Sequence, residues 1–325
     1  MVDLRGQYQK IQSKVDDSVL KTINSASFIN GPQVKRFQKH LEKYLGAKHV
    51  IPCANGADAL QIALMALDLK PGDEVITPDF TYASTIEVIL LLGLTPVLVD
   101  IDIDTFNIDV SGIKNAITNK TKAIIPVHLF GQVASMNEIL EIAQENDLYI
   151  IEDNAQSLGS NFTFKDGSKK KAGTIGHIGT TSFFPSKNLG AYGDGGAIFT
   201  EDDDLAHTLR GIVNHGMYVR YYHDLVGVNS RLDSIQASIL DIKLDYLDDY
   251  NNSRCIAASK YNLQFKDQSN IITPIRVGEH DSHVFHQYTL RILNRKRDEL
   301  VKYLNDRNIP CGIYYPVPLH LQKAY

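Results

Sequence analysis

Apolar positions along this chain recur at two spacings, and the two alternate. Gln33 to Leu45 carries Val34, Phe37, Leu41 and Leu45 at three- and four-residue steps behind Gly31-Pro32, which predicts a helix. His49 to Pro52 is a short apolar run and reads as a strand. Ala59, Leu60, Ala63, Leu64 and Leu67 return to helical spacing, with Asn55 placed to cap them. Pro71-Gly72-Asp73 is a turn and residues 74–77 a strand. Thr85 to Leu92 is helical, Pro96 to Asp100 a strand and Ala123 to Val127 another. A helix follows from about Met136 to Glu145, and Leu148 to Ile151 is a further apolar run. Strands alternating with helices predict a mainly parallel sheet covered on both faces, whose strands should be continuously apolar. The runs EVIT, PVLV, AIIPV and LYII are of that kind. Ligands of such sheets bind beyond the carboxyl ends of the strands, so chemistry is sought just after each run.

From about Leu244 the pattern changes. A polar helical stretch, Asp245 to Lys266, precedes an alternating strand around Tyr288 to Ile292, a helix from about Lys296 to Arg307 and a strand from Cys311 to Tyr315. The expected organisation is a large α/β domain over residues 1–244, with an N-terminal arm, and a smaller α+β domain over 245–325. Length agrees with about two domains.

Composition narrows the class. Of 325 residues, 43% are apolar and 22% charged, and the formal charge is −5. That balance argues against non-specific binding of nucleic acid, which needs a basic patch. Cys53, Cys255 and Cys311 are far apart and form no CxxC, so a disulfide framework or zinc site is not suggested and a reduced, cytoplasmic setting is expected. The N-terminus lacks the apolar core of a signal peptide, and the longest apolar stretch, Val88 to Leu94, is too short to span a bilayer.

Three segments carry chemistry. Residues 53–59, Cys-Ala-Asn-Gly-Ala-Asp-Ala, turn a strand end into a helix start, where free N–H groups bind anions and Gly56 admits a phosphate. An ordinary glycine turn capped by Asn55 would look the same. Residues 151–157 place Asp153 at the end of a buried strand, where a carboxylate can hold a cationic ring nitrogen; a helix cap or structural ion pair is the plain alternative. Lys187 stands in TSFFPSKNLG, between Pro185 and a glycine cluster ending at Gly196. Most lysines are solvated, but a desolvated lysine has a lowered pKa and can form a Schiff base with a carbonyl. Together the three suggest a carbonyl cofactor with a phosphate tail and a basic ring nitrogen, and pyridoxal phosphate has these features. The run Asp100 to Asp104 imitates a calcium loop, but Thr105 and Ser111 stand where glycine and glutamate are needed, so it reads as a solvated turn. The glycines from 190 to 196 do not fit G-x-G-x-x-G, and His215, His283, His286 and His320 show no metal-ligand spacing.

At these residues the chain resembles the DegT/DnrJ/EryC1/StrS family of pyridoxal-phosphate sugar aminotransferases. The resemblance runs from VDLRGQY through FINGPQV, CANGADALQIAL, IEDNAQS, TSFFPSKNLGAYGDGGAIFT and GVNSRLDSIQASIL to IYYPVPLHLQ. It implies the type I aminotransferase fold and a homodimer with shared active sites. It also implies a C-terminal domain that continues past residue 325. By position, Lys187 corresponds to the Schiff-base lysine, Asp153 to the pyridinium partner and Gln156 to the ring-hydroxyl contact. Gly56, Ala57 and Ser182 fall on phosphate contacts, Asn229 on a phosphate contact from the other subunit, and Tyr82 on the aromatic that stacks on the ring. Position 57 is usually serine or threonine, so one hydroxyl contact is missing here.

Lysine at 187 separates the chain from related dehydratases, which carry histidine there. Transamination from an amino acid, expected to be L-glutamate, to a keto-sugar on a nucleotide is implied. FINGP, CANGADAL and HVFHQYTLR look most like enzymes aminating C3 of UDP-linked 3-keto sugars, with C4 amination or dTDP-linked substrates as the alternative and polysaccharide biosynthesis as the setting. Arg220, Tyr221 and His223, together with Tyr314, Tyr315 and His320, are the candidate nucleotide-sugar contacts. A catalytically silent nucleotide-sugar binder on the same fold is the competing class.

Overall fold

Asp3 starts the first element of the chain, a helix absent from the expectations above. Its side chain accepts from the Gly6 N–H, and α1 (Leu4–Asn24) buries Ile11 and Val15. The structure is a computed structural model and describes residues 2–325. In α2 (Pro32–Leu45) the spaced residues Phe37, Leu41 and Leu45 are all buried. The alternation then follows the sequence pattern closely: β1 (His49–Cys53), α3 (Gly56–Ala66), β2 (Glu74–Pro78), α4 (Ser84–Leu91), β3 (Thr95–Val99), α5 (Val110–Ala116), β4 (Thr121–Ile124), α6 (Met136–Glu145) and β5 (Tyr149–Asp153). A small hairpin, β6 (Asn161–Thr163) and β7 (Lys169–Lys171), precedes β8 (Ile178–Ser182) and β9 (Gly196–Thr200). Then come α7 (Asp203–Ile212), the hairpin β10 (Met217–Val219) and β11 (Tyr222–His223), and α8 (Ser234–Leu244).

Seven strands form one sheet in the order β1-β9-β8-β5-β4-β2-β3. The pairs from β8 to β3 are parallel, while β9 runs antiparallel to both β8 and β1. Two reversals leave β1 pointing the same way as β8. The carboxyl ends of β1, β8, β5, β4 and β2 therefore share one edge, which brings Cys53, Ser182 and Asp153 to the same side. Both faces are apolar and covered, with Ile51, Leu60, Val75 and Ile151 in one cluster and Ile76, Ile124, Ile139 and Ile150 in another.

The last part is less regular than its pattern predicts. Helix α9 (Leu247–Phe265) forms close to the expected range, and the expected boundary at 244/245 falls just before it. Leu247 nevertheless packs with Phe37 and Phe183, and Asn251 donates to the Leu158 carbonyl at 3.1 Å, so α9 starts on the large core. The alternation at 288–292 yields only a two-residue pairing, β12 (Ile271–Ile272) with β13 (Arg291–Ile292). Helix α10 (Arg297–Asn305) buries no residue. The strand expected at Cys311 to Tyr315 does not form. Pro310 removes a donor there and the segment pairs with no strand among the described residues; Tyr315 packs instead among Phe80 and Phe130.

Candidate active site

Asp153 ends β5 with 6% of its surface exposed. Ala155 N–H donates to Oδ1 at 3.1 Å and Thr85 Oγ1 to Oδ2 at 3.4 Å, the latter from the first turn of α4. Burial pushes this carboxyl above the usual carboxylate range. The Ala155 N–H, then the Lys187 and His128 charges, and the Thr85 hydroxyl pull the other way.

Lys187 sits in the turn that leaves β8 and re-enters the sheet as β9. The neck of the turn is fastened at Phe183, whose N–H donates to the Gly195 carbonyl at 2.7 Å and whose carbonyl accepts from Ala191 N–H at 2.8 Å. Within it the Lys187 N–H donates to the Phe184 carbonyl at 2.8 Å. A Cβ on Gly190 would lie 2.2 Å from the Pro185 carbonyl oxygen, so only glycine closes the turn this tightly. Burial lowers the Lys187 pKa, and the Asp153 carboxylate offsets part of that. Among the described residues the amine has no hydrogen-bond partner and no ion pair.

The third wall is the start of α3. Asn55 Oδ1 accepts from Asp58 N–H at 2.8 Å, which caps the helix as its spacing predicts. The N–H groups of Gly56 and Ala57 have no partner among the described residues and lie at the positive end of the helix. A Cβ on Gly56 would stand 2.7 Å from Ser182 Cβ, so the helix start and the end of β8 are in contact. Two free N–H groups, a serine hydroxyl, a desolvated unpartnered amine and a buried carboxylate suit the phosphate, aldehyde and ring nitrogen of pyridoxal phosphate. The residues present fit that cofactor.

Gln156 lies beside Asp153. Its Oε1 accepts from Phe130 N–H at 2.8 Å and its Nε2 donates to the Tyr315 hydroxyl at 3.3 Å. Tyr315 is thus wired to the residue expected at the cofactor ring, and burial pushes its pKa up to about 12. Tyr82 is 64% exposed, and its carbonyl accepts from the N–H of Thr85, the residue that reaches Asp153. His320 bonds Asp79 through Nδ1 and, at 2.9 Å, through its N–H, which holds the C-terminal segment at the end of β2. Tyr314 is exposed.

Other expected residues are not brought to Lys187 within one chain. Arg220 and Tyr221 lie on the exposed β10–β11 hairpin and bond each other at 3.0 Å; His223 bonds the His215 carbonyl at 2.8 Å. Asn229 is exposed with the Arg231 guanidinium on its Oδ1. It does not cap α8, which starts behind Asp233.

Sequence reading missed several residues here. Ser230, next to Asn229, is buried; it accepts from Ala54 N–H at 3.0 Å and donates to Asp58 at 2.6 Å, tying GVNSR to the start of α3. Thr85 had no signal beyond being a threonine at a helix start. His286, read from sequence as a structural or substrate contact rather than a metal ligand, bonds Asn188 at 3.2 Å, and burial followed by the Lys187 and Arg254 charges holds its pKa well below the usual imidazole range. His128 and Glu152 form a fully buried pair at 2.8 Å, and Glu152 also accepts three backbone N–H groups between Gly173 and Gly176. That pair braces β5 from below.

The profile of the DegT/DnrJ/EryC1/StrS aminotransferase family matches residues 9–325. The chain belongs to this family. Its aminotransferases use pyridoxal phosphate, so this chain is a pyridoxal-phosphate aminotransferase. It is 45% identical to a protein of Geobacillus stearothermophilus named "Pleiotropic regulatory protein", covering 100% of this chain and 86% of that one. It is also 45% identical to the UDP-2-acetamido-2-deoxy-3-oxo-D-glucuronate aminotransferase of Pseudomonas aeruginosa, over 99% of this chain and 88% of that enzyme. A solved family aminotransferase from Brucella abortus superposes with a TM-score of 0.94 at 42% identity, covering 100% of this chain and 86% of its own. Among the described residues no helix is long and apolar enough to cross a membrane, and no cluster of side chains could hold a metal ion.

Proposed function

We propose that this aminotransferase moves the amino group of L-glutamate to the C3 keto group of a UDP-linked 3-keto sugar, in the cytoplasm and for polysaccharide biosynthesis. The observation carrying the substrate is the 45% identity, over nearly the full chain, to an enzyme named for a UDP-linked 3-oxo sugar. The cofactor supplies an aldehyde for covalent attachment and a ring that accepts electrons. Lys187 Nζ would hold it and, once displaced by the amino donor, would carry a proton between Cα of that donor and the neighbouring cofactor carbon, as base and then as acid. Burial, which lowers the pKa of this amine, favours the neutral form that accepts a proton. Asp153 holds a proton on the ring nitrogen, and its burial leaves that charge pair unscreened by water. Gly56 and Ala57 N–H and the Ser182 hydroxyl would take the phosphate, Tyr82 would stack on the ring and Gln156 would reach the ring hydroxyl.

The site is completed by a second copy, with Asn229 of the partner on the phosphate and the hairpin residues Arg220, Tyr221 and His223 facing the nucleotide-sugar together with Tyr314, Tyr315 and His320. The exposure of Asn229 and of the β10–β11 hairpin supports this arrangement. The name of the Geobacillus relative favours a second reading, a regulator that binds a nucleotide-sugar without turning it over. Lys187, Asp153 and Gln156 weigh against it. One experiment tests both. The purified protein is given L-glutamate and a panel of UDP- and dTDP-linked 3-keto and 4-keto sugars, and products are read by mass spectrometry. Amination of the UDP-linked 3-keto sugar ahead of the others is expected. Turnover of a 4-keto or dTDP-linked sugar alone overturns the substrate, and no turnover of any sugar favours the regulator.

A further inference from the structure

Lys243, on α8, is 1% exposed and among the largest fully buried side chains of the protein. Among the described residues no carboxylate stands within ion-pairing distance of it. Its Nζ donates to the Gly190 carbonyl and lies 5.3 Å from the centroid of the Tyr192 ring. Burial lowers its pKa to about 8. A buried ammonium with one carbonyl and one aromatic face is a poor source of stability, since an unbranched apolar side chain would fill the space without the desolvation cost. The position serves something other than the core.

What Lys243 grips is the closing limb of the turn that carries Lys187. Two helical turns earlier on the same face of α8, Gln236 Oε1 accepts from Tyr192 N–H at 2.9 Å. A Cβ on Gly193 would meet Gln236 Nε2 at 3.0 Å, so the limb lies flat against this helix. The helix is a firm support: Leu240 and Leu244 pack with Phe37 and Phe183, and Ile239 packs with Ile11 and Val15 of α1. Apart from Tyr192, whose ring meets Tyr8 of α1 edge-on at 6.0 Å, the limb is Gly190, Ala191 and Gly193, which have no side chain to anchor it.

We propose that Lys243, with Gln236, is a positioning residue that fixes the Lys187 turn by gripping Gly190 and Tyr192 from α8. The inference rests on the reading that Lys187 binds the cofactor. Placing an amine to within a fraction of an ångström matters more to an attachment reaction than to folding.

The test uses cofactor-free protein mixed with pyridoxal 5′-phosphate. Three quantities are followed: the rise of the visible band, the fraction of chain fixed by borohydride, and amide exchange at Ala191 and Tyr192 before mixing. In Lys243→Met the melting temperature of the cofactor-free protein should hold or rise. Attachment should slow by about ten- to a hundredfold, and exchange at the two amides should quicken by about tenfold. Gln236→Leu, on a half-buried side chain, should show a smaller loss of the same kind, and the double variant should lose less than the product of the two. Attachment within twofold of wild type in either folded variant overturns the proposal, even if the melting temperature falls. If Lys243→Met does not fold, Gln236→Leu decides alone by the same criterion. Failure of the underlying reading looks different: the wild-type protein itself would then show no borohydride-fixed cofactor on Lys187.

Discussion

The carboxyl edge of the sheet and the segments around it are built in opposite ways. At the edge, polar groups are held from several elements at once: Asp153 from α4 and from its own strand end, Gln156 from the backbone of Phe130, Ser230 from Ala54 and Asp58. The β10–β11 hairpin has Arg220 and Tyr221 bonded only to each other, and α10 buries nothing. The edge can therefore hold reacting atoms in place in a single chain, and the outlying segments cannot. On the proposed function, the reaction type would be set by the core and the choice of sugar by the outlying segments, completed by a partner or a substrate. Substitutions on the two sides should fail differently.

The largest expected effect is at the edge. Lys187→Ala should lose the visible band of the bound cofactor and reduce transamination by about ten-thousandfold or more, since attachment and proton transfer both go. Its melting temperature without cofactor should not fall, because the removed amine is desolvated and unpartnered. Borohydride still fixing cofactor to this variant would mean that another lysine is used.

Asp153→Asn comes next. An amide fills the same space but cannot hold a proton on the ring nitrogen, so cofactor should still bind while turnover falls by roughly a hundred- to a thousandfold. The measurement is single-turnover amino transfer from L-glutamate at saturating cofactor. Near-normal turnover would reduce Asp153 to a structural group at a strand end.

Asn229 tests whether the outlying side depends on a second copy. Lys187→Ala and Asn229→Asp are prepared separately, the second placing a negative charge against a phosphate. If the partner supplies Asn229, a mixed dimer has one site with both lesions and one with neither, and activity should return toward half per dimer. If Asn229 serves its own subunit, every site keeps one lesion and mixing restores nothing. Asn229→Asp alone must be strongly impaired, and mixed dimers must be verified by mass. No recovery under those conditions sinks the shared site.

The same division explains what could be read from the sequence. The β1–α3 turn, β5 ending at Asp153 and the helices α2, α3 and α6 were legible because burial imposes a period and capping imposes a residue type. Lys187 was legible because its glycine and proline neighbours make a tight turn whatever else they do. Thr85, Ser230 and Lys243 were not, since each acts through long-range hydrogen bonds, and such bonds leave no period in the chain. Helix α1 was missed because its apolar stripe is thin, with only Ile11 and Val15 among its apolar residues buried. The strand expected at 311–315 failed for the opposite reason: Ile313 and the two tyrosines resemble a strand, but the segment pairs with no strand among the described residues and Tyr315 packs on Phe80 and Phe130.

The smallest expected effect lies inside the well-held edge, at Ala57. The family resemblance implies serine or threonine at this position, so with alanine here a bound phosphate would have only the backbone N–H of this residue. The helix start does not depend on the side chain at 57, because Asn55 already caps it through Asp58 N–H. Ala57→Ser should therefore add a hydroxyl donor to the phosphate without disturbing the fold. A neutral hydrogen bond contributes about 1 kcal/mol, so cofactor affinity should tighten by roughly fivefold. Titrating cofactor-free protein with pyridoxal 5′-phosphate measures it, while kcat at saturating cofactor should stay as it was. A weaker cofactor affinity in a folded variant would show that Ser182 and the helix N–H groups already fill the phosphate shell and that a hydroxyl at 57 crowds it.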